Sequence, residues 1–322
     1  MKKQRVLSGI QPSGQLHLGN YFGMMSRMIQ YQGNNDLFCF IANYHALTTI
    51  PEKDNLSKNT FEAVCDFLAL GLDPEKSTFW IQSDVPQVTE LTWLLSNVTP
   101  MGLLDRATSY KDKIARGISA NLGLFSYPVL MAADILLFNS ELVPVGKDQK
   151  QHLEMTRDIA VRINNLFGDV LVVPEPDIEK TTMLVPGTDG QKMSKSYNNI
   201  INIFLPDNKL RKQIMSIQTD SLALEDPKDP EACNVYQIYN LLASKDQSER
   251  LANKYRAGNF GYGHAKQELF DLICSKFSTE REKFTFLMSN TDIIEKELIS
   301  GAVKAKVIAN SVLCRVRENI GY

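Results

Sequence analysis

The chain has 322 residues, 43% hydrophobic and 22% charged, with a formal net charge of −2. That size and apolar content suit a globular protein of about two domains, and the near-neutral balance argues against a protein that coats nucleic acid through its overall charge, though not against a local basic face. No apolar run approaches the ~20 residues of a membrane span, and the basic start, Met-Lys-Lys-Gln-Arg-Val-Leu, lacks the apolar stretch of a secretory signal, so a cytoplasmic location is expected.

In chain order, Arg5–Ile10 reads as a strand, Gln11–Gly14 as a turn and Leu18–Tyr31 as a helix. Leu37–Ala42 is strand-like, Leu56–Leu72 helical, Thr78–Gln82 a strand and Val88–Val98 a helix. Leu142–Val145 reads as a short strand leading into a helix over Asp148–Leu166. This alternation predicts an α/β domain, a Rossmann-like parallel sheet covered by helices, with ligands at the carboxyl ends of its strands. After about Pro206 the strand signal disappears. Leu210–Ile217, Val235–Ala243, Glu249–Arg256, His264–Phe286 and Ile293–Asn319 read as helices, and Asp220–Ala232 as a loop. The expected division is therefore a catalytic domain over 1–206 and an all-helical C-terminal domain over 207–322 that ends in a long helix. The five cysteines, Cys39, Cys65, Cys233, Cys274 and Cys314, form no CxxC and stand near no histidine at ligand spacing. No structural metal is expected, and the thiols read as free and buried.

Two segments suit polyphosphate chemistry. Gly9-Ile10-Gln11-Pro12-Ser13-Gly14-Gln15-Leu16-His17-Leu18-Gly19-Asn20 joins the first strand to the first helix. Glycines there permit a tight turn and close ligand approach, and the helix start offers unpaired N–H groups to an anion. An ordinary capped strand–turn–helix connection would read the same way. Gly187-Thr188-Asp189-Gly190-Gln191-Lys192-Met193-Ser194-Lys195-Ser196 is a glycine-rich loop whose lysines, three apart, can offset charge on a leaving pyrophosphate. A solvated surface loop is its plain alternative. A third segment, Tyr127-Pro128-Val129-Leu130-Met131-Ala132-Ala133-Asp134-Ile135-Leu136-Leu137-Phe138, holds one charge, Asp134, in an apolar run. If helical, Tyr127, Met131 and Asp134 share a face. A buried carboxylate needs donors, and an indole is an apolar plate with one N–H donor and no acceptor. Asp134 could equally bridge elements of the fold.

Together these segments resemble the class I aminoacyl-tRNA synthetases. Lys192-Met193-Ser194-Lys195-Ser196 is a complete KMSKS, and His17-Leu18-Gly19-Asn20 corresponds to the first class motif with Asn where most of the class has a second His. GIQPSG, YPVLMAADILL, Val143-Pro144-Val145-Gly146-Lys147-Asp148-Gln149-Lys150-Gln151-His152 and KMSKS occur in the order and approximate spacing of the bacterial tryptophanyl-tRNA synthetases, across essentially the whole chain.

The resemblance implies activation of L-tryptophan with ATP to tryptophanyl-adenylate and pyrophosphate, then transfer of tryptophan to the 3′ end of tRNA(Trp). It implies Mg²⁺ bound with ATP, and a homodimer whose interface region is expected in Val88–Arg106. ATP contacts are implied at Gln11, Pro12, Ser13, Gly19 and Asn20, at Gly146, Lys147 and Asp148 for the ribose, near Met183 for the adenine, and at Lys192, Met193, Ser194, Lys195 and Ser196 over the phosphates. Lys113, Lys192 and Lys195 are the implied catalytic cations. Asp134 would read the indole nitrogen, Tyr127 and Gln149 would orient the polar end of the amino acid, and His45, Met131, Val143 and Val145 would line the pocket. Lys147 departs from the family's usual Glu, and Leu7 stands where a close relative has an aromatic. The helical half, with Lys304, Lys306, Arg315 and Arg317, is a candidate anticodon-side surface or simply a solvated helix face. A tyrosine-specific synthetase of the same class, a small-molecule adenylyltransferase and a non-ligating tRNA- or tryptophan-binding paralogue are the alternatives. A phenol would want a site that both donates and accepts, which a lone carboxylate does not offer.

Overall fold

Strands β1 (Arg5–Ile10) and β2 (Asp36–Ile41) are apolar with little alternation, as expected where both faces of a parallel sheet are covered. Val6, Leu7, Leu37, Phe38, Cys39, Phe40 and Ile41 are accordingly buried. The computed structural model describes residues 3–12, 14, 16–48, 53–115, 117, 120–178 and 185–322. Among them β1 and β2 join β3 (Ser77–Ile81), β4 (Leu142–Val145) and β5 (Glu175–Ile178) in one five-stranded, all-parallel sheet of order β3-β2-β1-β4-β5. This is the Rossmann-like architecture the alternation predicted. The order reverses between β1 and β4, so the crevice for a ligand lies beyond the carboxyl ends of those strands. β5 had no sequence signal. Glu-Pro-Asp-Ile is short and polar, and it becomes a strand only by pairing with β4, at an edge where proline is tolerated.

Gly9 shows how tightly the sheet face is filled. It pairs with Phe40 across β1 and β2, and a Cβ there would stand 2.6 Å from Cζ of the Phe40 ring. Phe40 in turn stacks on Trp80 at 5.3 Å between centroids, and Trp80 packs on Phe138 at 4.8 Å. This aromatic layer lies under the helices of that face.

Packing divides the chain into two compact units, Met1–Gly14 with Met28–Thr182 and Asn290–Tyr322, and Gln15–Arg27 with Met183–Ser289. The division differs from the expected break at 206. The long C-terminal helix, Thr291–Ile320, packs on β3 and belongs with the sheet. Arg315 donates to the Val170 carbonyl and to Asn139, Arg317 pairs with Glu90, and Lys304 reaches the Pro74 carbonyl. These cations therefore bind their own unit. The helix from Leu18 also has a feature periodicity could not show, a π-helical turn over Tyr21–Met25 between Leu18–Asn20 and Ser26–Asn34.

The second unit is helical: Asp207–Met215, Asn234–Leu242, Lys245–Ala257, Tyr262–Lys276 and Ser278–Ser289. Leu210, Ile214, Val235, Ile238, Leu251, Tyr255, Leu269 and Ile273 form its interior. The stretch His264–Phe286 that reads as one helix is broken at Phe277, which leaves helical geometry at φ −107°, ψ 21°. The break buries its ring, edge-on to Tyr21 at 5.3 Å. The loop before Asn234 is tied by Lys228, whose buried ammonium donates to the carbonyls of Ala223, Leu224 and Asp226. The cysteines are free, but not all are buried: Cys274 is half-buried and Cys314 exposed on the outer face of the C-terminal helix.

Gly301 is where that helix meets the sheet. A Cβ at this position would lie 1.8 Å from the carbonyl oxygen of Phe79 in β3. Gly301→Ala should therefore lower stability by about 1–3 kcal/mol through overpacking, although alanine is the better helix former by about 1 kcal/mol. Urea unfolding would check the sign, and a stabilised variant would refute the close crossing.

Candidate active site

In the second unit the two phosphate-type motifs are physically joined. Leu18 N–H donates to the Ile201 carbonyl at 2.9 Å, and Gly19 N–H points at the Met193 sulfur at 3.3 Å. Asn20 turns its side-chain oxygen back to the His17 N–H at 3.1 Å and closes the first turn of the helix. A side chain at Gly19 would collide with His17, 2.9 Å from Nδ1. That Nδ1 is buried and, among the described residues, has no hydrogen-bond partner. Burial, and next the charge of Lys195, hold the His17 imidazole down at a pKa of about 4, so it is neutral at pH 7. In one of the two tautomers of a neutral imidazole Nδ1 carries a proton that a phosphate oxygen could accept, beside a bare glycine and a lysine.

The KMSKS loop owes its shape to Asn199, which sequence reasoning missed. Its buried amide donates to Asp189 at 2.7 Å and to the Lys192 carbonyl, and its oxygen accepts from Ser194 N–H at 2.7 Å. A Cβ on Gly187 would fall 2.2 Å from the Asn199 amide nitrogen. Gly190 has φ +80°, a left-handed value that glycine adopts without strain. Met193 is buried as the loop's anchor, while Lys192 is exposed and Lys195 half-buried. Ser13 and Met183 lie outside the described residues, as do the side chains of Lys113, Asp148 and Ser196.

In the first unit the Asp134 helix spans Leu122–Leu136, with Asn121 capping it by accepting from Leu124 N–H. Tyr127, Met131 and Asp134 do share a face. Asp134 is buried, and its donors come from the protein. Gln82, in the turn after β3, donates from Nε2 to both carboxylate oxygens at 2.8 Å, and His45 Nε2 lies 2.8 Å from Oδ2. Burial pushes the Asp134 carboxyl above its ordinary pKa, while the bonds from His45 and Gln82 pull it back down. A carboxylate offers about four lone-pair positions. Three carry these bonds, so among the described residues Oδ1 retains an acceptor position.

The cluster extends from there. The His45 ring stands edge-on to Tyr127 at 6.3 Å. Tyr127 Oη is 2.6 Å from Nε2 of His152, whose Nδ1 is 2.9 Å from Gln149 Oε1. Gln11 donates its amide to the His45 carbonyl, Pro12 is buried beside it in sequence, and Val143 at the end of the sheet is buried with Met131 and Val145 packed at the core's margin. Gly146 and Lys147 are exposed at the start of the short turn Lys147–Gln149. Leu7, where an aromatic was expected from a relative, is simply a core residue. Gln82 and His152 carried signals that could have been read: Gln82 ends a strand on the ligand side of the sheet, and His152 lies one helical turn from Gln149.

The description "tRNA synthetases class I (W and Y)" belongs to the family model that matches residues 1–278. A tryptophan–tRNA ligase of Fusobacterium nucleatum is 55% identical over 319 residues, spanning 99% of this chain and 98% of that protein. One from Campylobacter jejuni (strain RM1221) is 51% identical over 317 residues, 98% of this chain and 99% of the relative. The crystal structure of a Campylobacter jejuni tryptophanyl-tRNA synthetase complexed with ADP and tryptophan superposes with a TM-score of 0.96 at 51% identity, covering 99% of this chain and 100% of that one.

The His17 pKa has a consequence for stability. The folded state holds the imidazole neutral down to about pH 4, whereas the unfolded chain takes up a proton near the ordinary value of 6.5. Its contribution is fully present above pH 6.5 and is lost as pH falls toward 4. His17→Gln should flatten that part of the stability profile in denaturant titrations at stepped pH. Identical slopes in the two proteins would contradict the burial of a neutral ring.

Proposed function

The chain belongs to the family of class I tRNA synthetases for tryptophan and tyrosine, and from that premise we infer that it is a tryptophan–tRNA ligase. It activates L-tryptophan with ATP to tryptophanyl-adenylate and pyrophosphate, then transfers tryptophan to the 3′ end of tRNA(Trp). The observation that carries the choice of amino acid is the acceptor position left on Asp134 Oδ1 in an otherwise apolar helix. An indole N–H fills it and asks for no donor in return. A phenol would leave its own oxygen unanswered, and sites built around one polar group reject analogues strongly.

The attacking tryptophan carboxylate is ionised at pH 7, so the first step needs positioning and charge stabilisation rather than a general base. Tyr127 and Gln149 orient the ammonium end, with Met131, His45, Val143 and Val145 around the ring. Gln11, Pro12, Ser13, Gly19 and Asn20 hold ATP with Gly146, Lys147, Asp148 and the backbone near Met183. Lys113, Lys192 and Lys195 offset charge on the departing pyrophosphate, and Met193, Ser194 and Ser196 complete that loop. Mg²⁺ accompanies ATP and neutralises phosphate charge when bound. Phosphate oxygens and water suffice as its ligands.

Among the described residues no helix is long and apolar enough to cross a membrane, and we place the enzyme in the cytoplasm. The helices between 207 and 289 are assigned to the anticodon side of tRNA. A homodimer is inferred with an interface in Val88–Arg106, a stretch that exposes Trp93 and Met101.

Amino-acid-dependent ATP–pyrophosphate exchange tests this reading: tryptophan alone among the twenty should support it. Asp134→Asn should lower kcat/KM for tryptophan roughly 10- to 150-fold, the loss of a hydrogen bond to a charged group, with little change in KM for ATP. Near wild-type tryptophan use would remove Asp134 from the indole contact. Lys195→Ala should slow pre-steady-state adenylate formation roughly 100- to 1000-fold, as for removal of one transition-state donor, with tryptophan affinity preserved. An unchanged rate would show that the loop does not act on the transition state.

A further inference from the structure

Gln82 is more tightly specified than packing requires. It begins the turn Gln82–Asp84 directly after β3, and its side chain is 2% exposed. Its Oε1 accepts from the backbone N–H of Tyr44 at 2.9 Å. A backbone N–H can only donate, so the amide cannot be flipped: its oxygen faces Tyr44 and its NH2 faces Asp134. The turn is also clamped. Asn43 donates to Ser83 Oγ at 2.9 Å and accepts from Ser83 N–H at 3.1 Å, and Val85 N–H bonds the Gln82 carbonyl. Gln82 Nε2 then meets both oxygens of Asp134 at 2.8 Å.

An NH2 group in that place favours the ionised carboxylate. A proton on either oxygen of Asp134 would occupy a position that already accepts a hydrogen bond, or would use up the one left on Oδ1. We propose that Gln82 is a positioning residue that holds Asp134 as an acceptor-only carboxylate, and so sets the preference for a ring N–H over isosteric rings that lack one. This rests on the reading that Asp134 receives the indole N–H. A glutamine that merely filled space would contribute equally to every bicyclic substrate.

The test compares kcat/KM for adenylate formation with tryptophan and with the analogue whose ring N–H is replaced by sulfur, 3-benzothienylalanine, in the full-length enzyme. Gln82→Met keeps the volume and removes both donors. Gln82→Leu removes the same donors with a different shape. In both variants the tryptophan-to-analogue ratio should fall roughly 10-fold or more, the scale of a lost charge-assisted bond, with analogue turnover within about 3-fold of wild type. A ratio that stays at the wild-type value, or a parallel loss for both substrates, overturns the proposal. Thermal unfolding identifies a misfolded variant, in which case the other decides. Asp134→Asn is run in parallel. If it collapses the ratio and the Gln82 variants do not, the positioning role alone falls. If Asp134→Asn itself leaves the ratio unchanged, the indole reading fails and the Gln82 role fails with it.

Discussion

A carboxylate buried in an apolar helix is unfavourable unless donors are brought to it, and much of the first unit is arranged around supplying them to Asp134. Gln82 comes from the turn after β3 and His45 from the short helix after β2, so the donors sit at the carboxyl ends of adjacent parallel strands. Both side chains are held by contacts further out. Tyr44 N–H orients the Gln82 amide, Asn43 clamps its turn, and Gln11 holds the carbonyl of His45. Polar groups that satisfy one another in a low-dielectric interior reinforce their shared geometry. Among the described residues one acceptor position on Asp134 remains open, and that is the property a site for a single ring N–H requires.

The second unit solves a different problem, the presentation of a mobile-looking loop sequence in one shape. Asn199 and the glycines at 187 and 190 fold the KMSKS segment into a tight turn. Met193, the apolar member of the motif, is the anchor that meets Gly19 of the first motif. Of the lysines on either side, Lys192 is exposed and Lys195 half-buried. His17 has a buried ring nitrogen with no hydrogen-bond partner among the described residues. Unsatisfied buried groups are rare and call for a reason.

The C-terminal helix carries lysines and arginines that read either as an anticodon-side surface or as a solvated helix face. Here Arg315, Arg317 and Lys304 cap carbonyls and pair with Glu90 in their own unit, and the helix approaches β3 closely enough that only glycine fits at 301. Surface pairs of this kind add little stability individually, so the crossing itself and the apolar stripe of Ala302, Ala305, Ala309 and Val312 hold the helix in place.

By itself the sequence determined the strands with strong apolar character, the parallel α/β class, the helical second half and the identity of the segments that carry chemistry. These follow from local periodicity and from residue types whose chemistry is independent of context: glycines beside a helix start, paired lysines, one acid in an apolar run. Tertiary structure alone decided the rest. Glu175–Ile178 is a strand because β4 offers it a partner. Phe277 breaks a helix because its ring has somewhere to be buried. The C-terminal helix joins the sheet rather than the helices that precede it. The partners of Asp134 come from positions 52 and 89 residues away in the chain. No local pattern encodes such pairings, because a hydrogen bond across the fold depends on where the backbone has already been placed.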